Sequence, residues 1–224
     1  MINKSTFLYR TIRFDHLVQI FRDRQLYFSN PSQWDDPYET RLNHPAFQTV
    51  AAQCWCKHSV SDAMWRIYSP HQLGVRIKTT KDVLLEQLGG SLEDSNRYSW
   101  RMDEVVYDPQ RIIDDKLKAL AESLQDRNDY AKVLDSLFWK RRAFVHEAEV
   151  RAVVFDKIAK QPITHVHVPI DPDRLIKSVL FDPRASKEMV DVYTHYLKNK
   201  LGYQGRISQS ALYKKKPFIS IPEK

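Results

Sequence analysis

Residues 144–155 read FVHEAEVRAVVF, and this stretch decides the fold. It alternates with a period of two, as a strand does: Glu147, Glu149, Arg151 and Val153 fall on one face, Ala148, Val150, Ala152 and Val154 on the other. The second face is core. Immediately upstream, residues 110–124 and 129–139 have the spacing of amphipathic helices parted by a polar turn, a helical insertion over about residues 110–139. Downstream, residues 164–169 and 176–181 read as strands. A basic helix over 186–200 follows, ended by Gly202, and residues 206–212 and 217–221 close as short strands.

Before the insertion the chain alternates short elements. Residues 6–11 predict a strand, 14–24 a helix capped by Asp15, and 25–29 a second strand. Residues 51–57 enter a strand, 61–68 form helical turns capped by Ser61, and 73–78 return as a strand. A helix over 80–88 is expected to stop at Gly89-Gly90, and 102–107 is a further strand. Strands and helices mix without βαβ alternation, which predicts an α+β fold. No repeat or Gly/Ser linker interrupts it, so one domain over residues 1–224 is expected.

The composition, 42% hydrophobic and 28% charged, supplies ample core. Only five glycines occur, and none form G-x-G-x-x-G or a P-loop. Nucleotide binding through a glycine cradle is therefore excluded, and side chains would have to hold any such ligand. No apolar run reaches the eighteen or so residues of a membrane span, and residues 1–6 lack the apolar stretch of a signal peptide. Cys54 and Cys56 are too close for an easy disulfide. A reduced, cytoplasmic setting without membrane contact is expected.

The net charge of +7 is unevenly placed. No acid lies between Asp191 and Glu223, where Lys198, Lys200, Arg206, Lys214, Lys215 and Lys216 alternate with Tyr193, Tyr196, Tyr203, Tyr213 and Phe218. Cations interleaved with aromatics suit a single-stranded RNA or DNA surface. The same pattern also fits a solvated helix whose tyrosines pack inward.

Several clusters could carry chemistry. Glu147, Glu149 and Arg151 share a strand face, where like charges are costly unless a cation or ligand offsets them. Such a pair can raise one pKa for acid–base work, or hold a sugar hydroxyl while the second carboxylate stabilises positive charge. A solvent-facing Glu–Arg ion pair is the plainer alternative. The loop SNPSQWDDPYE (29–39) gathers Asn30, Trp34, Asp35, Asp36 and Glu39, with Asn30 and Asp36 placed before prolines as turn formers. Trp65, Tyr68 and His71 could wall a flat ring or simply pack. Cys54-x-Cys56 lacks a second ligand pair, and His165 and His167 share one strand face, so no metal site is expected. Arg10 matters only if a later site needs a cation against pyrophosphate.

The order of motifs is itself informative. LYRT (8–11), LYFSNPSQWDDPYE (26–39), MWRIYSPHQLGVRI (64–77), VVYD (105–108), Trp139-Lys140, HEAEVR (146–151), LFDPRAS (180–186) and SQSALY (208–213) follow one another. This order resembles the prokaryotic domain-of-unknown-function 2971 family over nearly the whole chain. Asp35 stands where that family usually has Asn, Tyr38 is the aromatic after Asp-Pro, and Phe144 stands for the aromatic before Glu-x-Glu.

More distantly the layout is similar to the ADP-ribosyltransferases. That resemblance implies a single-domain, mostly antiparallel split sheet flanked by helices, with NAD as substrate. It places Glu149 and Glu147 as catalytic residues, and Arg10, Tyr68, Trp65, Asn30 and Arg151 around the NAD. The Ser-Thr-Ser signature of the arginine-modifying group is absent, leaving the acceptor open. The expected function is ADP-ribose transfer to a macromolecule, nucleic acid first, in a prokaryotic toxin or phage-defence role with an antitoxin or chaperone partner. The alternatives are a non-enzymatic nucleic-acid-binding module of the same fold and a metal-dependent nuclease using Asp35, Asp36 and the Glu pair.

Overall fold

The computed structural model describes residues 6–93, 96–124, 130–217 and 219. The chain begins β1 (Phe7–Arg13), α1 (Phe14–Asp23), β2 (Gln25–Ser29), β3 (Val50–Cys56), α2 (Asp62–Tyr68) and β4 (Gly74–Thr80). It continues α3 (Lys81–Leu92), β5 (Tyr98–Glu104), β6 (Val106–Asp108), α4 (Gln110–Ser123), α5 (Tyr130–Asp135), β7 (Trp139–Arg141) and β8 (Glu149–Asp156). The last elements are β9 (His165–Pro169), α6 (Pro172–Leu175), β10 (Ser178–Phe181), α7 (Lys187–Asn199) and β11 (Arg206–Gln209). The fold is α+β and its main sheet is mixed but mostly antiparallel. Among the described strands only β10–β11 and β6–β7 pair in parallel.

The sheet is split at β3. One edge of β3 pairs with β8 along its whole length, from Val50↔Phe155 to Cys56↔Glu149, and β8 pairs onward with β5. The other edge is shared. β1 meets it only at Tyr9↔Cys56 and β2 only at Ser29↔Ala52, so Gln53, Cys54 and Trp55 face a gap. From that gap β1 runs on through β4 and β10 to β11, and β2 pairs with β9.

One side of the sheet is hydrocarbon. Leu17, Ile20 and Phe21 of α1 and Leu84, Leu88 and Leu92 of α3 bury against Leu8, Ile12, Trp55, Val150 and Val154. Each such side chain contributes about 1.5–3 kcal/mol on burial. On the opposite side Val50, Ala52, Leu137, Phe138 and Val153 form a second, smaller cluster. Polar residues occupy the ground between that cluster and α2.

Several expectations are corrected. The decisive strand begins at Glu149, because Arg142–Glu147 is a 3-10 helix ending on Ala148 at φ 42. A left-handed alanine costs about 1–2 kcal/mol; the turn lets Glu147 reach Lys140 from outside the strand. α3 runs through Gly89 and Gly90 to Leu92, since burial of Leu88 and Leu92 outweighs the roughly 1 kcal/mol each glycine costs. Arg13, not Asp15, occupies the N-cap of α1; Asp15 lies in its first turn and pairs with Arg13 at 2.7 Å. The strand expected over 102–107 is two strands broken at Val105, whose N–H is diverted to Glu149 O. Of the strand expected over 217–221, residues 218, 220 and 221 lie outside the described residues, and Pro217 and Ile219 are in no strand.

Candidate active site

A cavity of about 390 Å³ opens over the split, between α2, the loop after β2 and the β7–β8 segment. Arg10, Tyr68, Glu147, Glu149 and Arg151 all line it, brought together from β1, α2, the 3-10 helix before β8 and the start of β8. Asn30 and Trp65 do not line it. The Asn30 amide donates to Phe47 O and Val50 O, each at 2.8 Å, and its oxygen accepts from Ser32 N at 2.9 Å, which fixes the loop. Trp65 is 1% exposed and anchors α2.

The floor of the cavity is a buried ion network. Lys140 Nζ donates to Glu147, lies 3.1 Å from Glu149 Oε1 and 3.3 Å from Glu39 Oε1. Arg151, 1% exposed, bonds Glu149 and Leu137 O and sits 2.6 Å from Glu39 Oε2. The Trp34 ring covers its guanidinium at 4.3 Å. Three carboxylates therefore face two cations. One negative charge is left over unless a proton or a ligand's positive charge neutralises it.

The two strand carboxylates titrate apart. Burial pushes Glu147 up to about 7, even against its contact with Lys140. Burial also opposes ionisation of Glu149, but Arg151 and Lys140 outweigh it and hold Glu149 below its ordinary value. A pair split in this way gives one permanent anion and one group able to exchange a proton near neutrality. Burial, followed by the field of Glu149, drives the Cys54 thiol up to about 12, so no thiolate is present to act as nucleophile.

Across the gap stands Arg10. Burial lowers its pKa, and among the described residues no carboxylate pairs with it. Arg10 is half-buried and lines the cavity across the gap from the carboxylates. His146 also lines the cavity, and its buried Nε2 has no hydrogen-bond partner among the described residues.

The motif LFDPRAS has a mechanical task. Asp182, fully buried, holds Arg184 at 2.8 Å, and Arg184 Nη2 donates to Trp65 O at 3.0 Å and Ser69 O at 2.9 Å. These bonds satisfy carbonyls at the end of α2 and fix Tyr68 over the cavity. Gly74 is required beside them: a Cβ there would lie 2.6 Å from that of Ser69, whose Oγ accepts from Gly74 N.

The loop aspartates diverge. Asp36 is buried, caps Tyr38 N at 3.0 Å and pairs with Arg141 at 2.9 Å, whereas Asp35 is an exposed residue on the cavity wall. Among the described residues, no group of three or more His, Cys, Asp or Glu could hold a metal ion. No described helix is long and apolar enough to cross a membrane.

The basic third divides into two groups. Lys198 and Arg206 line a separate open cavity between α7 and β11, with Lys200 at the C-cap of α7. Lys214, Lys215 and Lys216 follow Tyr213, which is bonded to Asp62 and 3.4 Å from Arg66, both on α2. Two of the four tyrosines are packed and two are exposed: Tyr193 stacks on Phe14 at 3.7 Å and Tyr203 is buried with its hydroxyl on Ile176 O, whereas Tyr196 and Tyr213 face solvent.

Lys140 and Glu39 carry the network, yet neither was a candidate for this site. Glu39 stood out only as a loop acid and Lys140 only within a motif. The available signal was the charge imbalance on the strand, which demanded a cation from elsewhere in the chain.

Residues 64–152 match the family described as "Protein of unknown function (DUF2971)". That segment holds Tyr68, Lys140, Glu147, Glu149 and Arg151 but neither Arg10 nor Glu39. No curated protein matches the chain. Among solved structures, DarT from Thermus sp. 2.9 in complex with NAD+ is 12% identical, with 94% of this chain and 98% of that chain covered, at a TM-score of 0.44. The same protein in complex with ADP-ribosylated ssDNA is 12% identical over 92% of this chain and 95% of that one, at a TM-score of 0.45. At TM-scores below 0.5, what the cleft does has to be read from its own side chains.

Proposed function

We propose that this cleft binds NAD and transfers its ADP-ribose to a macromolecular acceptor. The observation that carries the reading is the charge layout: a buried excess of negative charge at one end, and the unpaired Arg10 at the other. A substrate with positive charge at one end and pyrophosphate further along satisfies both. NAD has that form, and its positive charge moves to the ribose as nicotinamide leaves.

Arg10 takes the pyrophosphate. Tyr68 supplies a flat wall for the nicotinamide ring. Glu149, held ionised by Arg151 and Lys140, accepts from a ribose hydroxyl and stabilises the oxocarbenium-like ribose as the glycosidic C–N bond breaks. Glu147 takes the proton of the acceptor as the new bond to the ribose forms, then releases it to solvent. Arg151 orients Glu149 from beneath. Atoms balance: acceptor and NAD give ADP-ribosyl acceptor, nicotinamide and one proton.

For the acceptor we propose nucleic acid, with RNA and DNA to be tested side by side. The tether from Tyr213 to α2 supports this, since it sets Lys214–Lys216 beside a helix that lines the cleft. A prokaryotic toxin or phage-defence setting with an antitoxin follows from the motif resemblance.

Glu149→Gln tests the reading. The amide keeps the shape and leaves two carboxylates facing two cations, so the fold survives by thermal melting. Transfer of label from NAD falls by about 10²–10⁴-fold. Wild type that neither consumes NAD nor labels any cell fraction would overturn the enzyme reading in favour of a binding module. Cleavage of nucleic acid that needs Mg²⁺ and no NAD would replace it with a nuclease.

A further inference from the structure

Among the described strands, β5, β9 and β11 each leave one edge of the main sheet unpaired. β11 spans only four residues and β9 closes on Pro169, both features that blunt an edge. β5 is seven residues long, YSWRMDE, with neither proline nor lysine. Its inner edge pairs with β8 along the whole strand. The ends of that ladder fix which backbone groups face inward: Val105 N donates to Glu149 O at 3.0 Å and Lys157 N to Arg97 O at 2.8 Å. Bonded residues alternate along an antiparallel strand. Residues 99, 101 and 103 therefore turn their backbone groups to β8, whereas Tyr98, Trp100, Met102 and Glu104 turn theirs outward. Glu104 N agrees, since it is met by the carboxylate of Asp103 at 2.9 Å instead of by β8.

This outward edge is complementary to itself. Two copies of β5 laid antiparallel about Met102 set Arg101 of each opposite Asp103 of the other. Met102–Met102 and Trp100–Glu104 become the hydrogen-bonded pairs, as the outward backbone groups require. Arg101–Asp103 become the closer, non-bonded pairs, where opposite charges interact best. An axis at Arg101 would instead bring the two guanidinium groups together. Arg101 and Asp103 are exposed and already 3.1 Å apart within one chain, so both can reach a facing strand. Tyr98, Trp100 and Met102 are half-buried against the main core, and a second copy covers more of their apolar surface. We propose that β5 is the interface of a two-fold dimer, which joins two main sheets into one across Met102. The occupant is a second copy of this chain because the edge matches itself in both charge and backbone direction. The dimer is independent of what the cleft binds.

Sedimentation velocity of the full chain tests this. The wild type shifts from monomer to dimer between about 1 and 100 µM. Arg101→Asp and Asp103→Arg each oppose like charges in both pairs and weaken the dimer at least about tenfold. Both side chains are exposed, so the melting temperature stays nearly unchanged. Mixing the two variants restores the dimer, because each altered residue then meets its opposite. Amide hydrogen exchange supplies the backbone readout. On raising the concentration, exchange at Trp100 and Met102 slows, while Arg101 and Asp103, already bonded to β8, change little. A wild type still monomeric at about 100 µM would overturn the proposal. So would a dimer that both single variants leave intact, a mixture that stays monomeric, or protection that grows elsewhere but not at Trp100 and Met102.

Discussion

The cleft has two arginines in opposite states. Arg151 is enclosed by Glu39, Glu149, the Leu137 carbonyl and the Trp34 ring. Arg10, across the split, has no carboxylate partner among the described residues. Two like cations in one cleft therefore have different surroundings. Arg151 belongs to a preorganised network that fixes an anion in place before any ligand arrives. Arg10 has no such network around it, and in the proposed reaction it is the ligand that completes it. A buried ion network is weak evidence of stabilisation, because apolar replacements of similar volume often fold as well or better. Its presence at the cavity floor argues for electrostatic work on a substrate.

The largest expected effect breaks the preorganised end. Lys140→Met leaves Glu39, Glu147 and Glu149 with Arg151 alone, and uncompensated buried charge costs about 3–5 kcal/mol. Urea denaturation should show this as a lowered midpoint. Arg10→Met should do the reverse: stability unchanged or raised, because a half-buried cation without a carboxylate partner is removed, while NAD affinity falls. Equal losses of stability in both variants would erase the distinction between the two ends.

A smaller effect sharpens the division between the carboxylates. Glu147 has to be ionised to take a proton, and burial has raised its pKa to about 7. Below that pH the base form falls, so the transfer rate should drop about tenfold per pH unit and level off above it. Glu149, shifted downward, stays ionised across that range and adds no limb of its own. In Glu147→Gln the residual rate should be flat through pH 7. A limb that persists in that variant would assign the titration to another group.

The α+β class, most elements and the charged face of β8 were legible, because they follow from local periodicity and capping. So was the link between a lone early arginine and a late Glu-x-Glu, though only through motif order. What escaped detection was non-local. Nothing in sequence spacing ties Glu39 to Lys140, which meet because the loop after β2 and β7 fold over the same face of β3 and β8. Asn30 and Trp65 were misplaced for a related reason: a loop amide and a helix tryptophan look alike whether they face a ligand or the backbone. Reading 144–155 as one strand missed the left-handed Ala148, since alanine gives no sign of a positive φ.

The smallest effect concerns the rim of the cleft against its floor. Lys214, Lys215 and Lys216 are exposed and carry no described ion pair, so they act only through the field they add beside α2. Replacing the three with Gln should leave NAD turnover to water or a small acceptor unchanged. Binding to a single-stranded oligonucleotide should weaken. The slope of log K against log salt should become shallower by about 2, since each phosphate no longer neutralised by a lysine removes roughly 0.7. The same change at Lys198, Lys200 and Arg206 probes the distant cavity between α7 and β11. If that second set moves the slope and the first does not, the acceptor runs along the far edge of the sheet. The tether of Tyr213 to Asp62 would then serve only to hold the tail.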